Sequence, residues 1–286
     1  MTIEVDFLEE LDRFNLAMKK HSIEIEHGEQ KSNHMGQGMI FEDHKKYVPG
    51  DDIRKIDWNV YARTKEYFIK RFEEEKGITL HILVDRSSSM DYGQVNKYEY
   101  AAKLGLGLAY MATQTNNRFR MSVFSETVTD ISSARTDANL ASLVEVLNGL
   151  KKTPESLVDR CLGEYEKRIK DKSAVIIISD FLMEMEAIES GIGALSAEDI
   201  VLANVLDTTE LNPDFRGDMI LKDAESDSKI RTFISNWSKN EYLSELEEHT
   251  GNIEKLAHQH GAKYMKISTG NPFFDTFLRL WNVLNQ

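Results

Sequence analysis

Three apolar runs in this chain stop at an aspartate: "ITLHILVD" (78–85), "SAVIIISD" (173–180) and "DIVLANVLD" (199–207). Each is nearly continuous in Val, Ile and Leu, the pattern of a strand covered on both faces. Segments with helical spacing lie between and around them: "KYEYAAKLGLGLAYMATQT" (97–115), "DANLASLVEVLNGL" (137–150), "ESLVDRCLGEYEKRIK" (155–170) and "LMEMEAIESGIGAL" (182–195). A further strand is expected within 118–132. A hairpin-like stretch follows at 212–232, then a long helix near 233–260, the strand "AKYMKIS" (262–268) and a helix over 272–284. Strands alternating with helices predict an α/β fold, a doubly wound and mainly parallel sheet with flanking helices.

An N-terminal extension precedes this pattern. Residues 5–21 carry a helical apolar stripe of Phe7, Leu8, Leu11, Phe14, Leu16 and Met18. Pro49-Gly50-Asp51-Asp52 is a strong turn signal, and "YFIKRFEEE" reads as a strand running into an acidic stretch. The expected division is an N-terminal segment, 1–76, packed on a main domain, 77–286.

Composition narrows the function. The chain has 286 residues and 48 acids against 35 Lys and Arg, a formal charge of −13. That balance opposes general binding to nucleic acid or anionic membranes, which require a cationic surface. With one cysteine, Cys161, no internal disulfide is possible, and a core position is expected for it. The start "MTIEVDFLEELDRF" has acids where a signal peptide has a basic region, and no apolar run is long enough to span a bilayer. A cytoplasmic, unanchored protein is expected.

In an open α/β sheet, ligands bind beyond the carboxyl ends of the strands, near the switch in strand order. Of the three strand-end aspartates, Asp85 alone is followed by hydroxyls at i+2 and i+4, Ser87 and Ser89. A phosphoryl-accepting aspartate needs a second aspartate two residues on as acid/base, but position 87 is serine; no convincing lysine is expected nearby. A serine nucleophile lacks both the G-x-S-x-G elbow and a recognisable histidine base. A hard divalent cation takes oxygen ligands, and magnesium uses one or two carboxylates while keeping waters. Asp85, Ser87 and Ser89 supply such oxygens, and Asp180 could hold a bound water. Against this stands a plain turn whose serines cap the next helix.

D-x-S-x-S after an apolar strand resembles the metal-ion-dependent adhesion site of von Willebrand factor type A domains. "VIIISDF" resembles that family's later strand with its aspartate, Asp180, although Ser179 replaces the usual Thr and Phe181 the usual Gly. The resemblance implies a second-loop hydroxyl, here Ser156, with Thr153 as the alternative. Upstream, "YVPGDDIRKIDWNVYARTKEYFIKRFEEE" resembles the signature of the DUF58 family through Tyr47, Gly50, Asp51, Asp52, Arg54, Ile56, Asp57, Trp58, Ala62, Arg63, Phe72 and Glu75. "GQGMIF", "VLDTTE" and "LKDAES" fit as well, so the likeness covers roughly residues 30–230.

The resemblance implies a short soluble form and a non-enzymatic adaptor or substrate-presenting partner of a MoxR-type AAA+ ATPase. Its site would hold Mg2+, or Mn2+ or Ca2+, on Asp85, Ser87, Ser89 and Ser156, with Asp180 acting through water. A partner's acidic side chain would complete the shell. The alternatives are a metal-dependent hydrolase using the same site, or a scaffold that no longer binds metal. For Arg54, Asp57, Trp58 and Arg63 two roles compete. One is an aspartate–arginine pair docking the N-terminal segment on the sheet with Trp58 as its anchor. The other is a partner-binding surface.

Overall fold

The computed structural model describes residues 3–4, 6–26, 39–48, 56–74, 78–115, 117–132, 140–150, 156–170, 172–214, 217–222 and 229–284. The chain divides into two compact units: Met1–Lys19 with Ile78–Gln286, and Lys20–Gly77. The opening helix, α1 (Asp6–Glu26), belongs through Lys19 with the larger unit. Its stripe explains this. Phe7 and Leu11 are buried in the main core, and Phe7 and Phe14 pack on Phe273 and Phe274 at 5.2 and 4.9 Å between ring centroids. Tyr110 also donates to Asp12 at 2.6 Å.

The smaller unit holds β1 (Met39–Lys46), α2 (Trp58–Thr64) and β2 (Phe68–Glu74), with β1 and β2 antiparallel. The turn signal at 49–52 lies outside the described residues.

The larger unit continues with β3 (Thr79–Asp85), a 3-10 turn at Ser88–Met90, α3 (Lys97–Gln114), β4 (Arg118–Phe124), β5 (Val128–Asp130), α4 (Leu140–Gly149) and α5 (Val158–Tyr165). Then follow β6 (Ser173–Ser179), α6 (Met185–Gly193), β7 (Asp199–Leu206), α7 (Thr208–Leu211), β8 (Gly217–Lys222), β9 (Lys229–Ile234), α8 (Asn236–Gln259), β10 (Lys263–Ser268) and α9 (Phe273–Leu284). Six strands form one sheet in the order β10-β7-β6-β3-β4-β5, parallel except for the antiparallel edge strand β5. The single strand expected over 118–132 is thus a tight β4–β5 pair.

The apolar runs conceal a period of two. Leu80, Ile82 and Val84 of β3, Ile176 and Ile178 of β6, and Val201, Ala203 and Val205 of β7 face one core, shared with α1, α3, α4 and α9. Leu83, Val175, Ile177 and Leu202 face the other, shared with α5, α6 and α8. Burying both faces removes the polar alternation of a half-exposed sheet. Cys161 lies in this second core and donates to the Ser125 carbonyl.

After β3 the chain moves to β4 on one side, then returns to place β6 on the other. The strand order therefore reverses between β3 and β6, where an open α/β sheet forms its crevice.

Candidate metal centre at the strand-order switch

Asp85 ends β3 with no exposed surface, and its carboxylate is held from several segments. Oδ1 accepts from the Ser87 amide at 2.8 Å, closing the turn that aims the serines. Oδ2 accepts from Ser179 Oγ at 2.6 Å and from Ser156 Oγ at 3.2 Å. Ser87 and Ser89 hydroxyls lie 3.0 Å apart. So the loop after β3, the segment before α5 and the end of β6 bring Asp85, Ser87, Ser89 and Ser156 together. Thr153, the alternative second-loop hydroxyl, lies outside the described residues.

Asp180 follows β6 and is also buried. Burial, first, and the charge of Asp180, second, push the Asp85 carboxyl up to about 6, against the bonds from Ser179 and Ser87. Two carboxylates thus face each other across the switch point.

Ser179 and Phe181 have structural reasons for their identity. Ser179 Oγ donates to Asp85 and accepts from the Phe181 amide at 3.0 Å, so its hydroxyl locks the turn to β3. Phe181 has φ 50°, in the left-handed region that favours glycine. Its ring compensates by burial in the second core, with 1% exposed. His249 Nε2 lies 2.8 Å from the Phe181 carbonyl, fixing the turn from α8.

The sequence pattern did not anticipate Lys97. Asn96 caps α3, accepting from the Glu99 amide, and places Lys97 on the first turn, directed inward. Its ammonium lies 2.8 Å from Asp180 Oδ2 and 2.7 Å from Glu210 Oε1, with no side-chain exposure. Burial alone would lower this group; Asp180 and Glu210 outweigh burial and raise it. The expectation that no lysine stands near the strand-end carboxylates is therefore corrected. The acid/base aspartate that phosphoryl transfer would need at position 87 is still a serine. The available signal was a charged residue opening a helix that is mostly apolar from Tyr100 to Ala112.

Glu210 is held through α7. Asp207 ends β7 and caps this short helix, while Glu210 Oε2 accepts from the Asp207 amide at 2.7 Å. Asp207 accepts from Thr209 and Thr269, and these bonds outweigh burial and lower its pKa. It is occupied structurally. Gly93, φ 103°, passes so close that a Cβ would lie 2.3 Å from Asp207 Oδ2.

Among the described residues, no three His, Cys, Asp or Glu side chains gather as a metal-holding group. The donors here are of another kind, hydroxyls with one or two carboxylates, which suits a hard cation that keeps its waters. The Lys97 ammonium is paired with Asp180 and Glu210 and not with Asp85, so carboxylate charge is in excess at the site and can attract a cation.

In the smaller unit, Asp57 caps α2 by accepting from the Asn59 and Val60 amides at 2.9 and 3.3 Å. Trp58 is 58% exposed and meets Tyr61 edge-on, and Arg63 is exposed. Asp57 thus initiates the helix, and the indole of Trp58, its first residue, is turned toward solvent. Arg54 lies outside the described residues.

The fold and the site define an α/β protein with a mostly parallel sheet and D-x-S-x-S at its strand-order switch. The chain belongs to DUF58, a family of proteins of unknown function, whose model matches residues 43–251. An uncharacterized protein of Mycobacterium tuberculosis is 24% identical over 281 residues, covering 94% of this chain and 87% of the relative; one from Mycobacterium bovis matches equally. Among solved structures, BatB from Bacteroides thetaiotaomicron is 13% identical, with a TM-score of 0.46, covering 73% of this chain and 100% of that one. An aerotolerance-related membrane protein from Bacteroides fragilis is 15% identical, with a TM-score of 0.45, covering 73% and 99%. Among the described residues, no helix of this chain is long and apolar enough to cross a membrane.

Proposed function

We propose that this protein is a non-enzymatic, cytoplasmic, metal-dependent interaction module that serves a MoxR-type AAA+ ATPase as adaptor or substrate-presenting partner. The observation that carries the reading is the convergence of hydroxyls from separate segments on the buried Asp85 carboxylate. Asp85, Ser87, Ser89 and Ser156 would hold Mg2+ (Mn2+ or Ca2+ as substitutes), and Asp180 would hold one of its waters. A bound ion of this kind supplies an electrophilic position open to a partner's aspartate or glutamate. Ser179 orients Asp85, and Lys97 holds Asp180 in place, so the donors are arranged before any partner arrives. With so few anionic ligands, affinity for the partner depends on the ion.

The test is binding of a purified MoxR-type ATPase, without nucleotide, to the protein in Mg2+, in EDTA, and as Asp85→Ala. Tight binding in Mg2+ alone supports the metal bridge. Equal affinity in all three conditions removes it.

A further inference from the structure

Two clefts flank the candidate centre within the larger unit. One, of about 570 Å³, opens beside Ser156 and includes Glu184, Glu245 and His249. The other, of about 540 Å³, begins at Ser89 and Lys97 and runs along Phe233 and Lys239. Leu182 and Tyr242 line both, forming the ridge between them.

The second cleft has an apolar rim left in water. Phe233 is 68% exposed, and Tyr92, Leu182 and Tyr242 each expose about two-fifths of their surface. Trp237, 72% exposed, stands next to the lining residue Ser238. Grouped aromatic exposure of this kind marks an interaction surface. Charge selects between the clefts. Lys97 is already neutralised by Asp180 and Glu210. The Lys239 ammonium has no hydrogen-bond or ion-pair partner among the described residues, in a chain of net charge −13. An acidic segment is therefore drawn toward Lys239 and repelled from Glu184 and Glu245.

We propose that this second cleft receives a large apolar side chain of the partner, lying within two residues of the carboxylate that reaches the candidate centre. The recognised motif is then an extended acidic segment with an aromatic or bulky aliphatic neighbour, not a lone aspartate or glutamate. In an extended chain, residues two apart point the same way, which lets one side chain reach the centre and the other the cleft. This rests on the metal-bridge reading only for the carboxylate's position.

The test is an NMR titration of 15N-labelled protein with two peptides, acetyl-Gly-Asp-Gly-Trp-Gly-amide and its Trp→Ala counterpart, in Mg2+ and in EDTA. The tryptophan peptide should bind about tenfold more tightly, as expected for partial burial of an indole, and shift the amides of Tyr92 and Phe233. Phe233→Ser, a change at an exposed position, should abolish the preference. Lys239→Glu should weaken both peptides. Equal affinity for the two peptides, or no binding of either at millimolar concentration, overturns the proposal. If the tryptophan preference persists in EDTA, the cleft stands and the metal bridge fails. If binding requires Mg2+ but ignores tryptophan and Phe233, the bridge stands and the cleft fails.

Discussion

Lys97 Nζ lies 2.8 Å from Asp180 Oδ2, and the two side chains are almost wholly removed from solvent, 0% and 1% exposed. This pair ties the start of α3 to the end of β6 at the point where the strand order reverses. Glu210 adds α7 to the same ammonium at 2.7 Å. The lysine is thus a permanent cation beside the candidate centre, holding in register the carboxylate that would carry a metal's water.

Replacing Lys97 with Met keeps the volume and removes the charge. Asp180 and Glu210 would then be buried without their cation, which costs about 3–5 kcal/mol. Urea denaturation of Lys97→Met should show that loss. A variant within about 1 kcal/mol of the parent would mean that the two carboxylates do not depend on Lys97.

Two buried groups give the metal-free protein opposite pH dependences. His81 packs against Tyr165, its Nδ1 2.8 Å from the hydroxyl; burial, with Arg120 nearby and Asp130 opposing, holds it down at about 4. The unfolded chain therefore binds more protons than the fold between pH 6.5 and 4, and stability falls as pH drops through that window. Asp85 is pushed up to about 6, so the folded state binds more protons, and its effect is a gain in stability as pH drops from 6 toward 4. Denaturation in EDTA should show Asp85→Asn losing stability over this range and His81→Gln gaining it. Parallel pH profiles for the two variants would contradict both assignments.

Phe181 combines left-handed backbone with a buried ring. Phe181→Gly relieves about 1–2 kcal/mol of backbone cost but removes core packing worth about 3–5 kcal/mol. A net loss of about 1–4 kcal/mol is expected from chemical denaturation. A variant more stable than the parent would show that the ring's burial contributes less than the strain.

The architecture was legible because runs such as 173–180 and 199–207 are apolar without alternation, and only a sheet covered on both faces demands that. The loop after β3 was legible because three serines follow a strand-end aspartate. Other features depended on contacts between distant segments. Lys97 looked like one more charge at a helix start; its burial is visible only once α7 places Glu210 opposite it. Ser179 was read as a substitute for threonine and not as the hydroxyl that fixes Asp85. The exposure of Trp58 depends on the Asp57 cap, which sets a helix whose first residue faces water. The affiliation of α1 with the larger unit depends on Phe273 and Phe274, at the far end of the chain.

The most direct measurement is the thermal unfolding of the parent and Asp85→Ala with and without millimolar Mg2+. At an ion concentration well above Kd we expect the parent's Tm to rise by about 5 °C, reversibly on adding EDTA, and the Asp85→Ala midpoint to stay fixed. No shift in the parent with Mg2+, Mn2+ or Ca2+, or an equal shift in both proteins, would contradict a metal centre built on Asp85.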